Sequence, residues 1–282
     1  MPPSSAFPDS RARGGRSAAG VVEALRSIWR YRAILIATTR AEIEKKYAGS
    51  YLGLLWAVLY PACFLAMYSF LYLVVLQIRL PEFSQFGFVL FVFSGLVPYL
   101  AFSEVATTST VVIKQNIHLI KNVMLPIDLV PVRIVAIALV SEAISLALLI
   151  LLLLVSGELS VNVPLIVAAV AIQTVFLLGL AWLFAALGVL LPDLGNFVAL
   201  LTLFLLFVSP IGYKPEMVPA HAQWVLHVNP MAYMIDIVRS ALLTNYAVPP
   251  WRWLAAALIA GATFLAGLTF FRRFKTFIVD YE

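Results

Sequence analysis

Glu104 and Glu142 fall inside runs too apolar to be solvated. An ionised carboxylate at the middle of a bilayer costs about 2.5–3.5 kcal/mol on insertion scales. Glu104 lies ten residues before Lys114, and Glu142 twelve residues past the start of the next apolar run. At ~1.5 Å per helical residue the two reach a similar depth on consecutive antiparallel helices. They are expected to share a polar environment, with at least one protonated or hydrogen-bonded to Ser141, Ser145 or backbone. Two roles stay open: a group that lines or gates a path, or a buried interhelix hydrogen bond.

A second pattern is aromatic. Trp56, Tyr60, Phe64, Tyr68 and Tyr72 recur at every fourth position, climbing about 24 Å of a hydrocarbon core of roughly 30 Å. Each four-residue step drifts by about 40°, so the row winds around its helix. Flat rings stack on the apolar faces of sugars, and tyrosine hydroxyls can bond to sugar hydroxyls. Such a row would let a long glycan slide without one deep well. Ordinary packing, with Trp and Tyr as interfacial belt residues, is the competing account.

Other chemistry is thin. The phosphate-binding pattern GxxxxGK[ST] needs a Gly-Lys pair, and the chain has none. Any ATP must then be hydrolysed by another subunit. His221 and His227 are six residues apart, on opposite sides of a helix, so no metal site is expected. Cys63 is the one cysteine, which excludes an intrachain disulfide and a cysteine-based metal site. No catalytic residue and no resident cofactor are expected on this chain.

The elements that carry these residues follow from composition. Of 282 residues, 63% are hydrophobic and 12% charged, and the mean hydropathy is +0.99. Soluble domains are about 45–50% apolar, so the excess must face lipid. The expectation is an all-α integral membrane protein with one transmembrane domain over 21–275. A span needs about 20 apolar residues, and six segments qualify approximately: 52–76, 88–112, 130–155, 163–191, 195–212 and 252–271. Pro61 and Pro98 fall inside spans, where kinks are expected. With both termini cytoplasmic, fifteen of the nineteen Lys and Arg lie inside, as the positive-inside rule requires. The net charge of +5 is thus topology, not a nucleic-acid signal.

Three segments do not span. Residues 21–47 place Val22, Leu25, Trp29, Ala33 and Ile36 at helical spacing among Arg26, Arg30 and Arg32, the pattern of a basic amphipathic helix in the cytoplasmic interface. The cytoplasmic loop 113–129 keeps Ile117, Ile120 and Met124 at helical spacing until Pro126. It either docks a partner or rests on headgroups. The external segment 213–250 holds two short helical patterns, 215–228 and 231–243, the second opened by Asn229 as N-cap and Pro230 at the first helical position. Helices so short cannot cross, yet they carry Trp224, Met231, Tyr233, Met234, Ile237 and Leu242. A re-entrant hairpin reconciles the two facts. It also favours a pore mouth, because irregular backbone at membrane depth needs protein or a water-filled cavity around it. Residues 1–20, rich in Pro, Gly, Ser and Arg, read as a disordered cytoplasmic tail, and 276–282 as a cytoplasmic C-terminus.

The run KYAGSYLGLLWAVLYP resembles the entry to the first span of ABC-2-type polysaccharide export permeases. FSGLVPYLAFSE and NIHLIKNVMLPIDLVPV resemble their second span and the loop after it, and SPIGYKPEMVP and HVNPMAYMIDIVRSALL their external segment. The likeness covers about residues 22–275 in order. It implies a homodimer of six-span subunits driven by two ATPase subunits, which supply the sites for ATP and Mg. It implies a coupling loop carrying Lys114, Asn116, His118, Lys121, Asn122 and Pro126. It implies that the first and fifth spans line a channel for a lipid-linked polysaccharide across the bacterial inner membrane. The channel would be capped by an external hairpin that includes Pro210, Trp224, Asn229, Pro230, Tyr233, Asp236 and Arg239. The first span looks nearest to O-antigen exporters, with capsular polysaccharide and teichoic acid as alternatives. Two readings of other classes compete: a secondary transporter using Glu104 and Glu142 for protons, and a membrane glycan or lipid enzyme built on His221, Glu216 or Asp236. Six spans without an internal repeat argue against the first, and scattered groups argue against the second.

Overall fold

The computed structural model describes residues 22–24, 26–47, 50–77, 83–116 and 126–281. The expected tail 1–20 lies outside them. Among the described residues there is no strand; Leu159 and Leu243 form an isolated bridge. The longer helices among the described residues are α1 (Arg32–Tyr47), α2 (Trp56–Ser69, prolonged by a π-helical stretch Phe70–Val75), α3 (Gln85–Ser109), α4 (Leu129–Ser156), α5 (Leu165–Leu190), α6 (Leu194–Val208), α7 (Pro230–Leu242) and α8 (Pro250–Tyr281).

Among the described residues, five helices are long and apolar enough to cross a membrane: α2 with its extension, α3, α4, α5 and α8. The remaining expected span, 195–212, is a helix of only 15 residues, Leu194–Val208. Its early end has a local cause. Pro210 disfavours helical backbone at the residue before it, and Ser209 is extended, with ψ 144°. The last span overruns expectation, because its helix continues to Tyr281 through most of the segment read as a C-terminal tail.

Helix α3 is the hub. Of its apolar window 78% is buried, against 6% for α2, and α3 packs on α2, α4, α5, α6 and α7. Its start is fixed by Ser84, whose side chain accepts from the Gly87 amide at 2.9 Å. Helices α5 and α8 approach backbone to backbone. A Cβ on Gly267 would run into the Gly179 carbonyl, and one on Gly179 into Thr263 and Phe264. Small residues allow this approach, which matters in lipid, where burial of apolar surface gives no driving force between helices.

The helix before the first span turns at Tyr31 and packs on α4. Leu35, Thr39 and Ile43 face inward, while Trp29 and Ile36 of the expected apolar stripe stay exposed, free to meet lipid.

The segment 213–250 departs from expectation in its first half. Residues 215–228 form no single helix. They form 3-10 turns at Pro215–Met217 and Ala220–Ala222 and a short helix Trp224–Val228. Pro219 explains the break, since it lacks an amide hydrogen and holds Val218 extended, at φ −81° and ψ 127°. The second half forms as read: Asn229 caps α7, its side chain accepting from the Met231 amide at 3.0 Å. Every residue from Met231 to Leu242 is buried.

Candidate functional site

A cavity of about 400 Å³ opens between the end of α1 and helices α2, α3 and α4. Glu104 and Glu142 both line it, with Ser141, Ser145, Trp56 and Tyr60. The shared polar environment is therefore present, although the two carboxylates are treated differently. Glu104 accepts from the Lys46 ammonium at 2.6 Å. Glu142 is 2% exposed, and neither of its carboxyl oxygens has a hydrogen-bond partner among the described residues. Gln173 is its polar neighbour; one amide hydrogen of Gln173 goes to the Pro98 carbonyl at 3.2 Å, and no contact from its side chain to Glu142 has hydrogen-bond geometry. Ser141 and Ser145 spend their protons on their own helix, donating to Ile137 O at 3.4 Å and Ser141 O at 3.0 Å. Neither bonds Glu142.

The aromatic row divides. Trp56 and Tyr60 are open, at 40% and 55% exposure, and the Tyr60 and Phe64 ring centres stand 5.1 Å apart. Tyr68 is buried, with its ring 5.9 Å from Tyr72. Tyr72 lies 6.1 Å from Phe88, edge-on, and covers Gly212, where a Cβ would strike its ring. Four steps of about 40° carry the top of the row well around the helix. In the single chain the row is thus an open lower part and an inward-packed upper part, not one five-rung wall.

The segment 213–250 is held by Arg239, fully buried inside the protein. Its guanidinium donates to Pro210 O at 2.6 Å, Ile211 O at 2.5 Å, Phe91 O at 3.1 Å and Ser94 Oγ at 3.3 Å. It also sits 3.7 Å above the Phe91 ring. Carbonyls freed where α6 breaks are thereby satisfied by a residue of α7. Asn229 adds a second tie, donating to Ser209 Oγ at 2.9 Å. Asp236 accepts from Arg252 at 2.5 Å and from the Tyr246 hydroxyl at 2.6 Å. Burial pushes its carboxyl up from the ordinary range, while Tyr246, Arg252 and Arg239 pull it back. Tyr233 donates to His227 O at 3.1 Å and packs edge-on against Trp251. Pro210, Asn229, Tyr233, Asp236 and Arg239 thus belong to one connected framework, whereas Trp224 stays exposed.

Of the loop 113–129, Asn116 accepts from the buried Arg133 at 2.6 Å. Lys114 is exposed and Pro126 half-buried. His118, Lys121 and Asn122 lie outside the described residues.

Sequence reasoning did not single out Lys46, Ser94, Gln173, Tyr246 or Arg252. Lys46 and Arg252 entered only as charges counted by side of the membrane, and nothing local marks Ser94, 145 residues from Arg239.

Comparison with known proteins agrees with this architecture. The model of the ABC-2 type transporter family matches residues 34–243. The O-antigen export system permease protein RfbA of Klebsiella pneumoniae is 26% identical over 248 residues, 86% of this chain and 92% of that protein. A protein of the same name from Myxococcus xanthus is 29% identical over 229 residues, 80% of this chain and 83% of that protein. The polysialic acid transport protein KpsM of Escherichia coli is 26% identical over 237 residues, 82% of this chain and 89% of that protein. With long apolar helices around a buried hub and a family match over well over half its length, this chain belongs to the ABC-2 type transporter family.

Proposed function

We propose that the chain is the channel-forming permease subunit of an ATP-driven exporter of a lipid-linked polysaccharide. O-antigen is the first candidate cargo, with capsular polysaccharide or teichoic acid served by the same machinery. Two copies form the conduit in a bacterial inner membrane, with both termini cytoplasmic. Two separate ATPase subunits bind ATP and Mg and dock on the loop around Lys114 and Asn116. The external framework around Arg239 caps the exit.

One observation carries this reading beyond the names of the relatives. The first span is scarcely buried in the single chain, 6% of its apolar window, yet it presents Trp56, Tyr60 and Phe64. A tyrosine hydroxyl facing hydrocarbon has no partner, and leaving it so is unfavourable. The same ring facing a wet glycan path against a second copy is satisfied. Helix α6 likewise leaves Phe197, Leu200, Phe204 and Phe207 uncovered, a second face for the conduit.

Reconstitution tests the proposal. The purified chain alone in proteoliposomes moves no glycan, and adding its ATPase partner gives ATP-dependent movement of a long glycan. Transport driven by a pH gradient without the partner would overturn the proposal in favour of a secondary transporter.

A further inference from the structure

We infer that the cavity between α1, α2, α3 and α4 is a subsite for a pyranose ring, beside the cytoplasmic half of the first span. The identity of the ligand rests on the glycan-export reading above.

The first ground is the orphan carboxyl. Glu142 is 2% exposed with both oxygens unpartnered among the described residues, and it lines a cavity of about 400 Å³. That volume falls within the range of small-molecule pockets, about 300–1,000 Å³. Burying a polar group without a partner is costly, and an occupant that donates hydrogen bonds removes the cost.

The second ground is the balance of donors and acceptors. Ser141 and Ser145 direct their protons to backbone carbonyls, so their oxygens are left as acceptors. Thr107 does the same toward Ser103 O at 2.7 Å. The Glu104 carboxylate is balanced by Lys46. The two carboxylates and these hydroxyl oxygens line the cavity as acceptors, beside the Ser103, Thr108 and Tyr60 hydroxyls and the Trp56 indole N–H, which can donate, so the occupant must carry several groups that both donate and accept, as hydroxyls do.

The third ground is shape. Trp56 and Tyr60 stand partly open at the mouth and present flat faces. A flat apolar face edged by hydroxyl donors is the description of a sugar ring. A compact ammonium headgroup would satisfy one carboxylate and leave the serine oxygens and the aromatic faces unmatched. Glu142 is the anchoring acceptor, and Ser141 and Ser145 receive neighbouring hydroxyls.

Thiol protection in the full complex with its ATPase partner, in nanodiscs, tests this. Cys63 is the one native cysteine, so Cys63→Ser supplies a silent background. Ser103→Cys and Thr108→Cys each place a thiol in the cavity, and their rates of modification by a small methanethiosulfonate reagent are measured. The probes are methyl glucoside, methyl mannoside, methyl galactoside and N-acetylglucosamine. At least one is expected to slow modification of both thiols severalfold, and Glu142→Gln is expected to abolish that protection while leaving the melting temperature unchanged. Protection by none of the sugars overturns the subsite, as does protection unaffected by E142Q. A headgroup site replaces it if protection follows phosphatidylethanolamine in the nanodisc and not sugar. ATP-dependent export is scored for the same complexes in proteoliposomes. Export without sugar protection sinks the subsite alone. Sugar protection without export supports the subsite and sinks the export reading.

Discussion

Arg239→Lys asks whether one planar fork holds the segment 213–250. The guanidinium serves four acceptors on two separate stretches of chain: Phe91 O and Ser94 Oγ on α3, and Pro210 O and Ile211 O just past α6. Lysine keeps the charge and most of the stem, but its donors leave from one atom and cannot reproduce the fork. At least two of the four bonds are lost. A hydrogen bond to a charged group contributes about 1.5–3 kcal/mol, so the loss is about 3–6 kcal/mol. Lysine is a cleaner test than methionine, because methionine also removes the several kcal/mol of charge burial and masks part of the effect. With about 2–4 °C per kcal/mol for a chain of this size class, the melting temperature falls by on the order of 10 °C. Tryptophan-fluorescence melting in nanodiscs measures it. Arg252→Lys is the control, since Arg252 bonds Asp236 through one nitrogen at 2.5 Å, and a lysine can replace that contact. An unchanged melting temperature for R239K would falsify the fork argument.

Gly267→Leu forces side chain into the Gly179 carbonyl, an overpacking cost of about 1–3 kcal/mol or more. Gly261→Leu, which meets open space in the chain, is its harmless counterpart in the same melting assay. Arg252→Met leaves the buried Asp236 carboxylate without its ion-pair partner, at about 3–5 kcal/mol; a double-mutant cycle with Asp236→Asn reads the coupling directly. Asn229→Ala removes the cap of α7 and the tie to Ser209, lowering stability by about 1 kcal/mol for the cap alone. In the aromatic row, Tyr60→Ala slows ATP-dependent export with little change in melting, whereas Tyr68→Ala lowers the melting temperature, because only the latter ring is packed inside the chain. Equal effects of the two on both measurements count against the division of the row.

Much of the frame is visible in one dimension. Apolar runs near Trp56, Phe88, Val130, Val163 and Trp251 announced long helices, because a bilayer of fixed thickness demands a fixed number of apolar residues. Asn229 and Pro230 announced α7, since a cap is a local hydrogen bond between neighbours. Where the local rule involved two signals, it failed: apolar spacing over 215–228 promised one helix, and Pro219 divided it. Residues 195–212 read as a short span ending at Ser209-Pro210, and the helix ends there, at Val208. Glu104 and Glu142 were matched in depth by counting residues. Counting could not say that Lys46 reaches Glu104 while Glu142 is left without a partner.

By itself, then, the amino-acid sequence determined that this chain lives in a membrane, which long apolar segments are helical and where Lys and Arg fall between them. These properties depend on composition and on neighbours along the chain, and lipid thickness reads them directly. Only tertiary structure decided that Arg239 closes the break after α6, that Tyr68 and Tyr72 turn inward while Tyr60 stays open, and that a polar cavity stands behind Glu142. Each of these joins residues dozens to more than a hundred positions apart. Helix rotation and close backbone approach bring them together, and neither leaves a period in the sequence.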